Sequence, residues 1–204
     1  MSPPLKIVVT GGPCAGKTTI IPKIEKELKK RGFNALILPE VPTLFSNMGF
    51  KLGPENPHIS EIQKLMFRTQ LYFEDQMSRL CSGDPYTVIL LDRGLLDYWT
   101  YTPVETWAEC LEEAKIGTND LFSRYDFVLF LDSVAVSSER YYELVKFSNT
   151  ARFEDAKQAK RNNAKLLQIW SKHPSFSHFS PNESLDKKIS KIIGYVEKKM
   201  KNKL

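Results

Sequence analysis

Gly11-Gly12-Pro13-Cys14-Ala15-Gly16-Lys17-Thr18 is the stretch that decides the fold, because it fits the pattern G-x-x-x-x-G-K-[ST] without a mismatch. An apolar run at residues 5–9 precedes it and predicts a buried strand. Residues 17–31 follow it and predict a helix with Ile20, Ile24 and Leu28 on one face. This strand-to-helix context favours a phosphate-binding loop over a glycine-rich turn without a ligand.

The loop predicts the binding of nucleotide phosphates. Its end glycines let backbone N–H groups converge on phosphate oxygens, and the N-terminus of the next helix adds partial positive charge. Lys17 is expected to reach the β- and γ-phosphates, and the Thr18 hydroxyl to bind Mg²⁺. Cys14 fits as a small residue, although a thiol near a helix N-terminus could be redox-sensitive. The predicted nucleotide-binding residues are Gly11, Gly12, Pro13, Cys14, Ala15, Gly16, Lys17, Thr18 and Thr19.

Four further apolar runs have the length of strands and alternate with helical patterns. The runs at 35–38, 87–91 and 127–131 are continuous, and the run at 176–179 is weaker. Strands that are apolar on both faces and separated by helices predict a parallel sheet covered on both sides, which is an α/β three-layer sandwich. With 204 residues, 42% hydrophobic and 26% charged, the chain is predicted to form one domain over residues 1–204.

Apolar stripes predict the helices. A long helix is expected over residues 60–80, after a loop at 47–57, and the last helix after a capping box at Ser180-Pro181-Asn182-Glu183. The core candidates are Ile62, Leu65, Met66, Phe73 and Met77 on the long helix and Leu185, Ile189, Ile192, Val196 and Met200 on the last. Lysines outside the last stripe are expected to be solvated, namely Lys187, Lys188, Lys191, Lys198 and Lys199.

Composition excludes several classes of protein. The apolar fraction excludes a disordered chain, and no apolar run approaches the roughly eighteen residues of a membrane span. Met1-Ser2-Pro3-Pro4 leads directly into a strand pattern, so no secretory signal peptide is expected. Because Cys14, Cys81 and Cys110 form no CxxC pair, a reduced, cytoplasmic protein is expected.

Acidic residues end three of the predicted strands. Asp92 closes one apolar run and is followed by Arg93, so the pair either holds Mg²⁺ and phosphate or forms a structural ion pair. Glu40 ends another strand, where it could position or deprotonate an acceptor hydroxyl or serve as an ordinary loop acid. Asp132 has no basic neighbour in sequence and is expected to be structural.

A basic segment surrounds the polar break Ser148-Asn149-Thr150. Arg140, Lys146 and Arg152 flank this break between two predicted helices. Cations on a mobile segment could stabilise the charge of a transferring phosphoryl group, whereas a solvated helix face is the ordinary explanation. We therefore predict a lid over residues 140–160 with Arg152 as its first candidate, so the predicted catalytic residues are Lys17, Glu40, Asp92, Arg93 and Arg152.

With these residues in place, the sequence resembles P-loop nucleoside and nucleotide kinases. More narrowly, it is similar to the AAA-type ATPase-like family that groups the ribosylnicotinamide kinase domain of NadR with the TRPL-translocation-defect GTP-binding proteins. The order and spacing hold over residues 5–193, and the matching residues are the loop at 10–19, Pro39-Glu40, Gln63, Glu74, residues 92–97, Arg124-Tyr125, residues 152–154, Trp170 and His173-Pro174.

The resemblance implies a P-loop NTPase sheet in the order 2-3-1-4-5, Mg²⁺-nucleotide binding and a lid that includes Arg152. It also implies that Asp97 points toward an acceptor, although Asp97 could equally cap a helix. The translocation-defect members are expected to carry an Asp-Asn pair after the last strand. Ser180-Pro181 stands there in this chain, so a preference for ATP or GTP is not carried over.

Three functions are compatible with the sequence. The first is a small-molecule kinase that transfers the γ-phosphoryl group of ATP or GTP to an unidentified nucleoside-like acceptor. The second is a GTP-binding or GTP-hydrolysing trafficking or regulatory protein, against which stands the lack of an Asn-Lys-x-Asp motif. The third is binding of RNA or acidic lipid by the basic C-terminal part, which is disfavoured because aromatic residues are not interleaved with its lysines.

Overall fold

A five-stranded parallel sheet forms the centre of the protein in the computed structural model, which describes residues 3–146 and 154–201. The strand order is β2-β3-β1-β4-β5, and every neighbouring pair is parallel. The strands are β1 (Leu5–Gly11), β2 (Asn34–Leu38), β3 (Thr87–Asp92), β4 (Phe127–Leu131) and β5 (Phe176–Phe179). The predicted fold class and the strand order are therefore confirmed.

Helices cover both faces of the sheet. They are α1 (Lys17–Lys30), α2 (Val41–Asn47), α3 (Ile59–Leu80), a 3₁₀ turn (Leu95–Asp97), α4 (Tyr98–Tyr101), α5 (Val104–Ala114), α6 (Thr118–Ser123), α7 (Val134–Ser137), α8 (Glu139–Val145), α9 (Ala156–Trp170) and α10 (Leu185–Lys201). Buried residues of α1 and α10 pack with one face of β1, β3 and β4. Buried residues of α3, α5 and α9 pack with the other face. The central strands are thus apolar on both sides, as a parallel sheet requires.

The buried face of the long helix α3 differs in part from the prediction. Ile62 and Met66 are buried as predicted, and Met77 is partly buried against the core. Leu65 and Phe73, however, are 43% and 37% exposed. The same helix instead buries polar residues, because its inner face meets other polar groups of the site. These residues are Gln63, Gln70 and Glu74.

Two further boundaries differ from the prediction. Helix α2 covers residues 41–47, to which the sequence analysis assigns no element before the loop at 47–57, and Pro42 in its first turn suits a helix start. The last helix begins after Ser184, whose Oγ accepts a hydrogen bond from the Lys187 N–H at 3.3 Å. The predicted cap at Ser180 is therefore wrong, although the Glu183 carboxylate does accept from the Ser180 N–H at 3.2 Å.

Lys188 is also misplaced by the sequence analysis. It is only 8% exposed, whereas Lys187 and Lys191 of the same helix are exposed as expected. Arg152 and the side chain of Met200 lie outside the described part of the protein. Within the described ranges, no helix is both long and apolar enough to cross a membrane.

Candidate active site

The loop between β1 and α1 has the backbone geometry of an anion cradle. Gly11 has φ +142°, and a Cβ there would lie 1.8 Å from the Leu131 carbonyl oxygen. Gly16 has φ 84° and begins α1 without a side-chain cap. The first N–H groups of α1 are therefore left to bind a phosphate. Cys14 adopts φ 57° and packs in a small cluster with Ala135 and neighbouring apolar residues, which agrees with its reading as a small fitted residue.

Asn163 of α9 fixes this loop through hydrogen bonds to backbone groups. Its Oδ1 accepts hydrogen bonds from the N–H groups of Gly12 at 3.2 Å and Ser133 at 2.8 Å. The Ser133 hydroxyl in turn donates to the Pro13 carbonyl at 2.5 Å. A Cβ on Gly12 would lie 2.6 Å from Asn163 Oδ1, so the glycine allows the helix to approach. Sequence reasoning missed Asn163, and the only signal was two adjacent asparagines within a helix that they disfavour.

Asp132 belongs to the same support. Its Oδ1 accepts from the Asn163 amide at 2.8 Å, and its Oδ2 pairs with His178 Nε2 at 2.8 Å. Both carboxylate oxygens are thus engaged within the protein. This agrees with the structural role expected for Asp132.

Lys17 and Asp92 line the same cavity, and the charge of each affects the pKa of the other. Lys17 is 8% exposed; burial and then the Arg93 charge lower its pKa, and Asp92 and Glu40 oppose that shift. Burial raises the pKa of Asp92 to about 6, although the Lys17 charge acts in the opposite direction. Among the described residues, Asp92 Oδ1 is buried and has no hydrogen-bond partner. An unpartnered buried carboxylate oxygen is costly and fits a bound cation.

The residues present fit a magnesium ion held with nucleotide phosphates. Mg²⁺ usually takes one or two protein ligands and completes its shell with water and phosphate oxygens. Asp92 Oδ1 and the Thr18 hydroxyl supply that number at the mouth of the loop. Within the described ranges, no cluster of three or more His, Cys, Asp or Glu residues could hold a metal by itself. The donor set therefore suits Mg²⁺ with a nucleotide rather than an all-protein metal centre.

Arg93 links Glu40 to Asp97. It has φ 76°; its Nε pairs with Glu40 Oε1, and its Nη1 lies 3.3 Å from Asp97 Oδ2. The guanidinium carbon also lies 5.3 Å from the centre of the Tyr101 ring. Burial alone would raise the pKa of Glu40, but the Arg93 and Lys17 charges lower it to about 2. Glu40 is therefore a fixed, ionised carboxylate at the end of β2.

Asp97, the second partner of Arg93, is itself held by hydrogen bonds from other side chains. Its oxygens accept hydrogen bonds from Thr10 Oγ1 at 2.8 and 2.9 Å and from Trp170 Nε1 at 2.6 Å. It makes no side-chain cap of α4, and its oxygens are engaged by protein groups rather than free for an acceptor. Asp97 thus occupies the N-cap position of α4 without capping it through its side chain. It does line the cavity, so its role toward an acceptor stays a prediction. A Cβ on Gly94 would lie 2.7 Å from the Trp170 ring, which explains the glycine beside Arg93.

The long helix braces Arg93 through its buried polar face. Gln70 Nε2 donates to the Arg93 carbonyl at 3.2 Å and to Glu74 Oε1 at 3.1 Å. Glu74 also pairs with Arg124 Nε at 3.1 Å and accepts from the Tyr125 hydroxyl at 3.0 Å. Burial raises the Glu74 pKa even though Arg124 opposes this. The strained turn at Arg93 is thus held by α3 as well as by β3.

A cavity of about 1150 Å³ opens at the carboxyl ends of the strands. Residues 13–20 form its middle, and the ends of β2 and β3 bring Glu40, Asp92 and Arg93 into it. On the side of Glu40 and Arg93, the cavity continues along residues that are mostly uncharged. Among them are Pro42, Leu52, Ile59, Gln63, Met66 and Tyr98. Beyond β4 and β5 it is lined by Asp132, Val134, Pro181, Glu183, Leu185 and Lys188. The two sides of the loop thus give room for two molecules.

The basic segment is only partly described. Lys146 pairs with Glu143 at 2.6 Å, Arg140 is exposed, and the first candidate, Arg152, lies outside the described residues. Arg161 of α9 does line the cavity, with its Nη2 3.0 Å from Gln158 Oε1. Sequence reasoning missed Arg161 because an arginine on an amphipathic helix resembles any solvated charge.

Comparisons with known proteins agree with this fold. A family described as an AAA domain matches residues 6–186. Two structures of deoxyadenosine kinase from M. mycoides are similar, and the match covers 95% of this chain and 100% of each of those chains. The structure with products dCMP and a flexible dCDP bound has a TM-score of 0.60 at 14% identity. The structure with bound dATP has a TM-score of 0.51 at 16% identity. No curated protein matches the sequence. The likeness shows a P-loop kinase-like fold, while the narrower resemblance to NadR and the translocation-defect proteins stays a prediction.

Proposed function

The chain belongs to the family described as an AAA domain, and from this membership and its site we propose that it is a Mg²⁺-dependent small-molecule kinase. It would transfer the γ-phosphoryl group of ATP or GTP to a hydroxyl of a nucleoside-like acceptor. The observation that carries the proposal is the cavity, which continues past the phosphate loop on the side of Glu40 and Arg93. A protein that only hydrolyses a nucleotide needs no such second compartment.

The phosphate loop and Lys17 would bind the donor. Backbone N–H groups of the loop and the N-terminus of α1 would donate to the phosphates, and the ammonium of Lys17, a residue that is only 8% exposed, would add positive charge beside them. Thr18 and Asp92 would hold Mg²⁺, which when bound neutralises phosphate charge and orients the transferring group. Arg161, and Arg152 in the predicted lid, are the candidates for closing the site over the phosphates.

Glu40 would position the acceptor hydroxyl. Thr43 Oγ1 donates to Glu40 Oε2 at 2.7 Å and Arg93 holds Oε1, so the carboxylate has a fixed direction and still has lone pairs for another donor. Phosphoryl transfer passes through a loose transition state, in which positioning matters more than a strong base. A carboxylate whose pKa is lowered to about 2 suits a role in orientation better than one in early proton removal.

The charges on the acceptor side favour an uncharged acceptor over a phosphorylated one. Among the described residues that line this side of the cavity beyond the loop, the cation is Arg93, and Glu40 and Asp97 already engage it. A phosphate group entering here would meet the Glu40 carboxylate without an available cation. A nucleoside, with an apolar base and hydroxyl groups, fits Pro42, Ile59 and Gln63 better. The fold shared with proteins named deoxyadenosine kinase supports the same class of acceptor.

Radiolabelled phosphoryl transfer tests the proposal. The protein is incubated with Mg-ATP or Mg-GTP and a panel of nucleosides that includes nicotinamide riboside, which also tests the narrower NadR resemblance. Lys17→Met should lower kcat/KM by about 10²-fold or more, since Lys17 contacts charge that develops on the phosphates. Lys23→Met is the matched control, because Lys23 is exposed on the same helix. Transfer that survives Lys17→Met would refute the kinase assignment, and hydrolysis unaffected by every acceptor would favour the regulatory NTPase.

A further inference from the structure

Lys188 is a buried cation that the proposed phosphoryl transfer does not use. It lies in the first turns of α10, is 8% exposed and lines the cavity beside Pro181, Glu183 and Leu185. Within the described part of the chain, its ammonium makes no hydrogen bond or ion pair. The lysine stem is thus packed against the protein while the ammonium at the cavity wall has no protein acceptor, so an acceptor atom of a ligand in the cavity could bind it.

The acidic side chains that affect Lys188 form no ion pair with it in the described part of the protein. Burial lowers the pKa of Lys188, and the charges of Glu183 and Asp132 oppose this. Glu183 Oε2 pairs with Lys187 at 2.5 Å, and its Oε1 accepts from the Ser180 N–H. Asp132 is engaged by Asn163 and His178. The cation is thus directed at the cavity rather than at a protein partner.

The in-line geometry of phosphoryl transfer determines which part of the donor nucleotide lies near Lys188. The attacking and leaving oxygens of phosphoryl transfer lie roughly in line on opposite sides of the phosphorus. If the acceptor lies beside Glu40 at the end of β2, the leaving nucleotide extends to the other side of the loop. That side is the end of β4 and β5, where Leu185 offers an apolar surface and Lys188 a charge. The base of the donor nucleotide is the part that reaches them.

We propose that Lys188 selects the donor nucleotide by its base, donating a hydrogen bond to the six-position carbonyl of guanine and disfavouring adenine. Guanine presents an acceptor oxygen at that position, whereas adenine presents an amino group, which is itself a donor. Two donors facing each other in a buried site leave both unsatisfied, and such sites discriminate strongly. The proposal rests on the proposed function only for the placement of the nucleotide, and it concerns binding rather than transfer.

Equilibrium binding of nonhydrolysable Mg-GTP and Mg-ATP analogues to the full chain tests it without any acceptor. The wild-type protein should bind the GTP analogue about 10-fold or more tighter than the ATP analogue, as expected for a hydrogen bond to a charged group. Lys188→Met should weaken GTP binding by about 10-fold and change ATP binding by less than about 3-fold. Lys191→Met is the matched control, being an exposed lysine three residues away on α10, and should change neither.

A base series on the wild-type protein tests the same contact if Lys188→Met does not fold. The triphosphate of inosine keeps the six-position carbonyl and should bind like GTP, whereas that of 2-aminopurine lacks it and should bind like ATP. Equal weakening of ATP and GTP by Lys188→Met would place Lys188 on phosphate or in the scaffold and overturn the proposal, as would tighter binding of ATP by the wild-type protein. Selective GTP binding without phosphoryl transfer would leave this inference standing and refute the kinase. Binding of neither nucleotide would refute both.

Discussion

Replacing Asp92 by Asn should make the ligand-free protein more stable while it abolishes Mg²⁺-dependent nucleotide binding. Burial raises the pKa of Asp92 to about 6 from its ordinary 3.8, so the folded protein binds this proton more tightly than the unfolded chain does. For a raised pKa the contribution to stability is present below pH 3.8 and is lost as pH rises through 6. Above pH 7 the ionised carboxylate therefore opposes folding.

The size of the gain follows from the pKa and the neighbouring charge. The difference between 3.8 and about 6 corresponds to roughly 3 kcal/mol of free energy of unfolding. Asn has nearly the same shape and carries no charge, but it also removes a charge that compensates Lys17. The net gain above pH 7 is therefore about 1–2 kcal/mol, which is a rise in Tm of roughly 2–8 °C for a chain of this size.

Glu40→Gln is the matched variant, and it should change the free energy of unfolding in the opposite direction. The Glu40 pKa is lowered to about 2 from its ordinary 4.5, so its contribution to stability is present above pH 4.5 and lost as pH falls through 2. Its replacement should cost about 2–3 kcal/mol at pH 7, because Arg93 loses a buried partner.

Urea unfolding of both variants and the wild type from pH 3.5 to 8 measures these effects, and a thermal shift with Mg-nucleotide measures binding. If Asp92→Asn destabilises the protein at pH 8 as much as Glu40→Gln does, Asp92 is a structural ion-pair partner and the reasoning is refuted. A gain that persists unchanged at pH 3.5 would equally contradict it, since Asp92 is then protonated in the folded protein and mostly protonated in the unfolded chain.

Three further substitutions test the support of the site. Gly12→Ala should weaken nucleotide binding by about 10-fold or more in calorimetry, because the new Cβ would lie 2.6 Å from Asn163 Oδ1; unchanged affinity would mean that the loop can yield. Asn163→Ala should lower the free energy of unfolding by about 2–4 kcal/mol in urea, since two buried N–H groups lose their acceptor, and a loss below about 0.5 kcal/mol would contradict this. Asp97→Asn should lower kcat for phosphoryl transfer about 10-fold or more with a smaller change in KM, because Arg93, which orients Glu40, loses the charge of its second partner. An effect on KM alone would exclude this positioning role.

Much of the fold could be predicted because each strand of a doubly covered sheet is a continuous apolar run. The runs at 87–91 and 127–131 needed no tertiary information, and the loop at 11–18 fixed where β1 ends. Helix α2 was missed because its seven residues, with a proline near the start, are too short for an apolar stripe. Leu65 and Phe73 were assigned to the core because hydrophobicity alone does not say which face a partner covers.

The motif residues of the site were predictable, but their supports were not. Glu40, Asp92 and Arg93 stand at or just after the ends of β2 and β3, and Lys17 begins α1 after the loop that follows β1, so topology alone brings them to one edge. Asn163 and Lys188 instead lie within helices that are amphipathic in sequence, where a polar residue ordinarily faces water. Their burial follows from what packs on each helix, and a single sequence does not contain that information.

Helix α9 connects the two halves of the site. Asn163 and Trp170 are seven residues apart, so they lie on the same face two turns from each other. Asn163 holds the phosphate loop through Gly12, and Trp170 holds Asp97, which in turn contacts Arg93. A rotation of α9 would therefore change the donor cradle and the Glu40–Arg93 pair together. Because rigid positioning supplies most of the rate in phosphoryl transfer, substitutions in this helix should affect transfer even where they contact no substrate.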